Sequence, residues 1–344
     1  MSDVAMRQVA VSRCEVCGSA GDVVHRDLPD RLFGVPGEWS EQRCRTCAAV
    51  WLDPRPVDED LGRAYDDYYT HTEPESHTAR TSLVHRLHQA EMGEARRRFR
   101  GAGAPEGSRW TRALVSLWAG RRADAAHMAA HVPVQPGARL LDVGCGDGLL
   151  LEHLRRLGWD AEGVEPDADA ADAARARGIP VRTGMLEDAG FADGTFAAVT
   201  MSHVIEHLAH PQRTLAEIHR VLSPRGTLVV ITPNASSALH RAFGRDWFPL
   251  DPPRHLLLHS PASLDRLLRD AGFAPQTRDS WRAANVTIAA SLAFRRGRGY
   301  SMTTAPSRGT RLVAEAGQQL LAMSGRLLRG HGDELVAIAT KGAA

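Results

Sequence analysis

The stretch "RLLDVGCGDGLLLEHL", Arg139 to Leu154, decides the fold. The apolar run "RLLDV" enters three glycines at alternate positions, Gly144, Gly146 and Gly148, and leaves as an apolar, helix-forming segment. A run of that length, bounded by glycine, reads as a buried strand, and a strand that turns through glycine into a helix opens a βαβ unit. In a parallel sheet the ligand lies beyond the carboxyl ends of the strands. The strand ends at Val143, so the glycines stand where a ligand would approach. They permit a sharp turn and close contact with the backbone, and the helix behind them offers its N-terminus to negative charge.

Strand and helix signals go on alternating from there. "DAEGVEP" (160–166) is a second strand, "ADAADAARARG" (168–178) a helix closed by glycine, and "IPVRTG" (179–184) a third strand. "FAAVTMS" (196–202), "TLVVIT" (227–232) and residues 274–282 continue the sheet, with helices over 211–222 and 260–273 between them. Residues 311–329 place Val313, Ala316, Leu320, Met323 and Leu327 on one helix face, and "DELVAIATK" (333–341) is the last strand. This alternation predicts an α/β fold with a mainly parallel sheet.

The glycine spacing narrows the ligand. A dinucleotide fingerprint G-x-G-x-x-G requires glycine at 149, where this chain has leucine. Glu165, which ends the second strand 19 residues after Gly146, suits ribose hydroxyls of either kind of nucleotide.

Four motifs in order, "LLDVGCGDG" (140–148), "GVEPD" (163–167), "MLEDAGFADGTFAAVTMSHVIEHL" (185–208) and "RVLSPRGTLVVITPN" (220–234), resemble the class I S-adenosylmethionine-dependent methyltransferases. The resemblance covers about residues 136–280. It implies a Rossmann-like sheet of seven strands, the last antiparallel. It also implies a cofactor site built from Asp142, Gly144, Cys145, Gly146, Gly148, Glu165, Pro166, Leu186, Glu187, Ser202 and His203. In that set the glycine loop approaches the methionyl group, Asp142 orients its amino group, Glu165 takes the ribose, and Leu186 and Glu187 flank the adenine. Many relatives carry Phe-Asp where this chain has Phe196-Ala197, a position away from the methyl group.

The chain holds five cysteines, and Cys14, Cys17, Cys44 and Cys47 form two C-x-x-C pairs. Two such turns supply four thiolates for a tetrahedral, closed, structural Zn2+ site. Neither pair sits at a βα junction, as a redox motif would. "WLDPRP…YDDYY" after the second pair resembles a bacterial subgroup of these methyltransferases with an N-terminal zinc ribbon. Cys145 stands alone and reads as small apolar packing beside the loop.

"HVIEH" (203–207) also fits the H-x-x-E-H pattern of a zinc peptidase, provided that it lies within a helix. Here it begins at a strand end, between methyltransferase motifs. His203 therefore falls near the sulfonium as one candidate general base, with Glu206 and His207 securing the next turn. "GRDWFPLDPPRHLLLHS" (244–260) has the composition of a pocket lid and carries the second candidate, His255. Arg254 beside it is a candidate contact for an anionic group.

The expected organisation is a zinc-ribbon module over 1–60, a helical linker or cap over 61–135, and a cofactor-binding domain over 136–344. The last contains a lid at about 235–260 and a helical insertion at about 283–330. Net charge is +1 over 344 residues, with 41 of the 42 basic residues arginine, so no global attraction to nucleic acid or anionic lipid follows. Ten arginines against three glutamates over 80–122 keep an RNA-modifying enzyme as the alternative. A cofactor-binding module without catalysis is a third reading. The apolar face at 313–327 reads as core packing, with peripheral membrane contact as its other use. No secretory leader or spanning segment is apparent, which predicts a cytoplasmic protein acting on a small-molecule acceptor. Oligomeric state is not encoded in any motif.

Overall fold

The computed structural model describes residues 6–65, 127, 130–301, 306–323 and 330–342. The Arg-rich 80–122 segment and most of the expected 61–135 linker lie outside the described residues.

The N-terminal part contributes β1 (Gln8–Val9), β2 (Gly21–Leu28), β3 (Trp39–Cys44), β4 (Val50–Leu52) and β5 (Arg55–Pro56). The alternating region follows as β6 (Arg139–Val143), α1 (Leu149–Leu157), β7 (Asp160–Glu165), α2 (Ala168–Ala176), β8 (Val181–Thr183), β9 (Phe196–Ser202), α3 (Pro211–Val221) and β10 (Leu222–Pro233). Then come α4 (Ala238–Phe243), β11 (Leu257–Leu258), α5 (Pro261–Asp270), β12 (Phe273–Ser280), α6 (Ala284–Arg295), α7 (Arg308–Met323) and β13 (Glu334–Lys341).

Seven strands form the main sheet in the order β12-β13-β10-β9-β6-β7-β8. β13 runs antiparallel to both its neighbours, and the other pairs are parallel, as the resemblance implied. The central strands are apolar on both faces because helices cover both. Leu140 and Leu141, adjacent on β6, are fully buried in different clusters on the two sides of the sheet.

Local chemistry sets the helix ends. Gly158, at φ 110°, closes α1. The Asp167 side chain accepts the amides of Asp169 and Ala170 to open α2, Pro211 opens α3, and a Ser260–Ser263 capping box opens α5. β6 lies between β7 and β9, so the chain order reverses there and the carboxyl ends of β6 and β9 adjoin. That reversal is the crevice where such sheets bind ligands.

A second sheet has the order β11-β4-β3-β2. β11 comes from the expected lid and pairs with β4, Leu257 opposite Trp51 and Leu258 opposite Val50. Cys14, Cys44 and Cys47 share a core cluster with Leu257, Leu264 and strand residues of the main sheet. Trp247, Leu250, Arg254 and His259 of the same loop are buried.

The expected insertion holds α6 and α7, but the apolar stripe of α7 needs correction. Val313, Leu320 and Met323 are 58%, 69% and 79% exposed among the described residues. The packed face carries Ala314 and Gln318 instead, with the Gln318 amide donating to the carbonyls of Trp281 (3.1 Å) and Arg282 (2.6 Å). Gly317 lets the helices meet on that side, since a Cβ there would stand 3.0 Å from Ile288 Cδ1.

Candidate active site

The three glycines of the loop have different reasons to be bare. All lie in the left-handed region, at φ 68°, 53° and 77° for Gly144, Gly146 and Gly148. A Cβ on Gly144 would stand 2.5 Å from Val204 Cγ2, and one on Gly148 would stand 3.0 Å from Ala174 Cβ. Only at Gly146 would a Cβ point into open space. The amides of Gly144 (2.8 Å) and Cys145 (3.3 Å) donate to the Val164 carbonyl, and that of Gly148 (3.1 Å) to the Cys145 carbonyl. These groups hold the turn in place. Gly146 is thus the position where a ligand can lie against the backbone. Cys145 is buried, its Sγ directly over Gly163, and burial pushes its thiol far up.

Glu165 pins the loop to the neighbouring strand. Its Oε2 accepts from the Gly146 amide at 2.8 Å and its Oε1 from the Asp167 amide at 3.0 Å. Burial raises its carboxyl above the ordinary range. Asp142, at the end of β6, accepts from Thr200 Oγ1 at 2.6 Å, and burial lifts its carboxyl to about 7. A cationic amino group beside Asp142 would restore its charge. Pro166 is exposed beyond β7. Glu187 is exposed and accepts from Thr214 Oγ1 at 2.6 Å, which ties it to α3. Leu186 is buried among core side chains including Phe191 and Phe196, so its side chain presents no free face to an adenine.

Ser202 ends β9, and His203 follows at φ 55°. The His203 amide donates to the Ile231 carbonyl at 2.8 Å. Its Nε2 lies 3.0 Å from Glu334 Oε1 and its Nδ1 3.3 Å from Glu206 Oε1. Burial opposes charge on the ring, but the two carboxylates outweigh it and raise the imidazole to about 9. Arg282 shares Glu334 at 3.0 Å. The ring is therefore held as a cation with both nitrogens engaged, which is poor equipment for a base at neutral pH. Glu334 and Arg282 were not singled out from the sequence. The acidic start of "DELVAIATK" was the only signal for Glu334.

The peptidase reading does not survive. Residues 205–207 form only a short 3-10 turn and His203 has a left-handed backbone, so His203 and His207 share no helical face. His207 Nδ1 points to the Arg254 carbonyl (3.1 Å) and the Tyr65 hydroxyl (2.9 Å). His255 Nδ1 donates to the Pro249 carbonyl at 2.6 Å. Arg254 is also corrected. Its guanidinium is fully buried, 2.7 Å from Asp30 and 2.5 Å from Asp251, so it staples the loop to the N-terminal module and reaches no ligand.

Cys14, Cys17, Cys44 and Cys47 converge, with all four Sγ atoms within 4.8 Å of one another. The Cys14–Cys47 and Cys17–Cys44 separations are 3.6 and 3.3 Å. A tetrahedron of Zn–S bonds has edges of about 3.8 Å, so the cluster fits that ion. The Thr46 and Cys47 amides aim at Cys44 Sγ, each at 3.4 Å, as donors that favour a thiolate. Burial opposes charge on Cys17, but hydrogen bonds with Ser19 and Cys44 bring its thiol down to about 6.

The seven-stranded sheet with one antiparallel strand and a glycine turn at the β6–β9 crevice is the α/β methyltransferase fold that the four motifs implied. The family model described as a methyltransferase domain matches residues 108–277, just under half of the chain. The chain is 31% identical over 160 residues to a ubiquinone biosynthesis O-methyltransferase of Azorhizobium caulinodans, covering 43% of this chain and 63% of that protein. It is 32% identical over 163 residues to the protein of that description from Cereibacter sphaeroides, covering 44% of this chain and 66% of the relative. The chain thus spans just under two thirds of the length of each. The crystal structure of the [4+2]-cyclase SpnF aligns with a TM-score of 0.47 at 22% identity, over 84% of this chain and 98% of that one.

Proposed function

We propose that the protein transfers the methyl group of S-adenosylmethionine to a hydroxyl of a small-molecule acceptor. The observation that carries this reading is the β6–β9 crevice, where Gly146 faces open space with its amide on the Glu165 carboxylate, and where the buried Asp142 lies near the end of β6. The open backbone suits the methionyl chain, Asp142 its amino group, and the remaining lone pairs of Glu165 the ribose hydroxyls. The O-methyltransferase names of the two curated relatives support oxygen as the acceptor atom.

Transfer is an in-line displacement. The acceptor oxygen bonds to the methyl carbon, the carbon–sulfur bond breaks with its electron pair going to sulfur, and the hydroxyl proton leaves. His203, with both ring nitrogens taken up by Glu334 and Glu206, is proposed to act as a positioning residue that fixes the end of β9 beside the crevice. His255 retains an Nε2 without a hydrogen-bond partner among the described residues and is the ring proposed to receive the proton. The four cysteines hold a structural Zn2+ with no open position. No helix among the described residues is long and apolar enough to cross a membrane, and we assign the protein to the cytoplasm.

Calorimetry with S-adenosylmethionine, its demethylated product and NAD tests the cofactor. Binding of the first two and not the third is expected, and the reverse would refute the reading. Labelled methyl transfer to a panel of hydroxylated small molecules, with bulk RNA alongside, tests the acceptor class. Label appearing in RNA alone would favour the Arg-rich segment as a nucleic-acid contact instead.

A further inference from the structure

Four ionisable side chains meet at the carboxyl edge of the main sheet, on the β10–β13 side of the crevice. His203 follows β9, Glu206 stands in the turn after it, Glu334 begins β13, and Arg282 lies two residues past β12. Glu334 Oε1 is shared, at 3.0 Å from both His203 Nε2 and Arg282 Nη2. Glu206 Oε1 stands 3.3 Å from His203 Nδ1. Carboxylate oxygens accept, so both ring nitrogens of His203 carry protons, and two cations stand against two anions.

The two signs are not equally placed. The Glu206 and Glu334 side chains are 0% and 2% exposed, whereas those of His203 and Arg282 are 37% and 24% exposed. This edge therefore presents positive charge to a ligand, with its carboxylates withdrawn behind. Arg282 has the spare donors that Arg254 lacks. Among the described residues only its Nη2 is engaged, by Glu334, and its Nε is buried without a hydrogen-bond partner. His127 Nδ1 is likewise buried without a partner. Burial and the nearby charge of Arg282 keep that ring neutral, so its Nδ1 is free to carry a proton and donate. Unmatched buried donors cost free energy that a ligand oxygen would recover. The backbone of Arg282 is fixed in advance, its amide donating to Ser280 Oγ at 3.1 Å and its carbonyl accepting from Gln318 Nε2 at 2.6 Å.

We propose that the acceptor is an anionic small molecule, whose carboxylate or phosphate is held by Arg282 with His127 as a second donor. A guanidinium matches the oxygens of either group, and His203 adds charge without a hydrogen bond of its own. Calling this ligand the acceptor rests on the methyl-transfer reading; the anion site does not. One molecule then carries both functions, with its anionic group anchored on the β12–β13 side and its hydroxyl directed to the β6–β9 crevice.

Benzoate, phenyl phosphate and benzamide share a ring and differ in charge. Titrating each into the full chain, with and without the demethylated cofactor product, tests the site by calorimetry and ligand-observed NMR. The expected result is saturable binding of an anion at least about 10-fold tighter than benzamide, the scale of one charge-assisted hydrogen bond. Preference for benzoate marks a carboxylate acceptor and preference for phenyl phosphate a phosphorylated one. Arg282→Gln should remove the preference for charge and Arg282→Lys should keep part of it, both with wild-type affinity for the cofactor product. Wild-type protein that binds the three probes equally, or binds no anion up to about 20 mM, overturns the proposal whatever the variants do. So does a preference that survives Arg282→Gln in folded protein. Loss of anion and cofactor-product affinity by the same factor also overturns it, since Arg282 would then hold the cofactor's own carboxylate. Failure to bind S-adenosylmethionine would refute the methyl-transfer reading alone, because the anion preference is also measured without cofactor.

Discussion

His203 Nε2 and Glu334 Oε1 stand 3.0 Å apart, and this contact joins the end of β9 to the start of the antiparallel β13. With Glu206 on the other ring nitrogen, it keeps the imidazole charged up to about pH 9. Because the folded value exceeds the unfolded one of about 6.5, the stabilisation is complete below that pH and is lost as pH rises toward 9. Wild-type protein should therefore lose melting temperature between pH 7 and 9.5, and His203→Gln should not show that loss. Ring resonances of His203 that titrate near 6.5 would refute the assignment.

Substitutions in the glycine loop should separate ligand space from packing. Gly146→Ala meets only backbone strain, about 1–2 kcal/mol in the left-handed region, because its Cβ enters open space. It should keep the fold and lose cofactor affinity. Gly144→Ala also drives a methyl into Val204 and should cost more stability, with Val204→Ala restoring part of it. Thermal melts and calorimetry on the three proteins decide; equal effects of the two glycine substitutions on both measures would contradict the distinction.

Arg254 neutralises two buried carboxylates, Asp30 and Asp251. Arg254→Met leaves both without their partner, and removing one member of a buried ion cluster costs about 3–5 kcal/mol. Asp30→Asn in the same chain should recover part of this. Denaturant unfolding measures it, and a loss under about 1 kcal/mol, the range of surface pairs, would show that the cluster is better hydrated than its burial indicates.

Metal removal should be felt beyond the cysteines. Ser260 Oγ donates to the Cys47 carbonyl and also caps α5. Strong chelation should lower the melting temperature and expose the 247–260 loop to protease. Protein that purifies without zinc and is indifferent to chelators would remove the zinc assignment.

The βαβ core was legible because its signals are local. Strand-length apolar runs, glycine stops and caps lie within a few residues of each other, and the motif order supplied the antiparallel last strand. The four cysteines were legible for the same reason. What escaped depends on distant partners. Nothing near Arg254 in the chain shows that Asp30 will neutralise it, and nothing near His203 points to Glu334, 131 residues away. Periodicity identified a stripe on α7 but could not say which side α6 would cover. Gly317, which settles that question, looks in the sequence like a mild helix breaker.

The pairing of β11 with β4 makes the two halves depend on each other. Trimming the first 60 residues to obtain a minimal enzyme would strip Leu257 and Leu258 of their strand partner and leave an open edge. His255 sits two positions upstream of that edge. Such a truncation should yield an aggregation-prone fragment in place of an autonomous catalyst, so any swap of N-terminal modules between relatives must carry the matching loop with it.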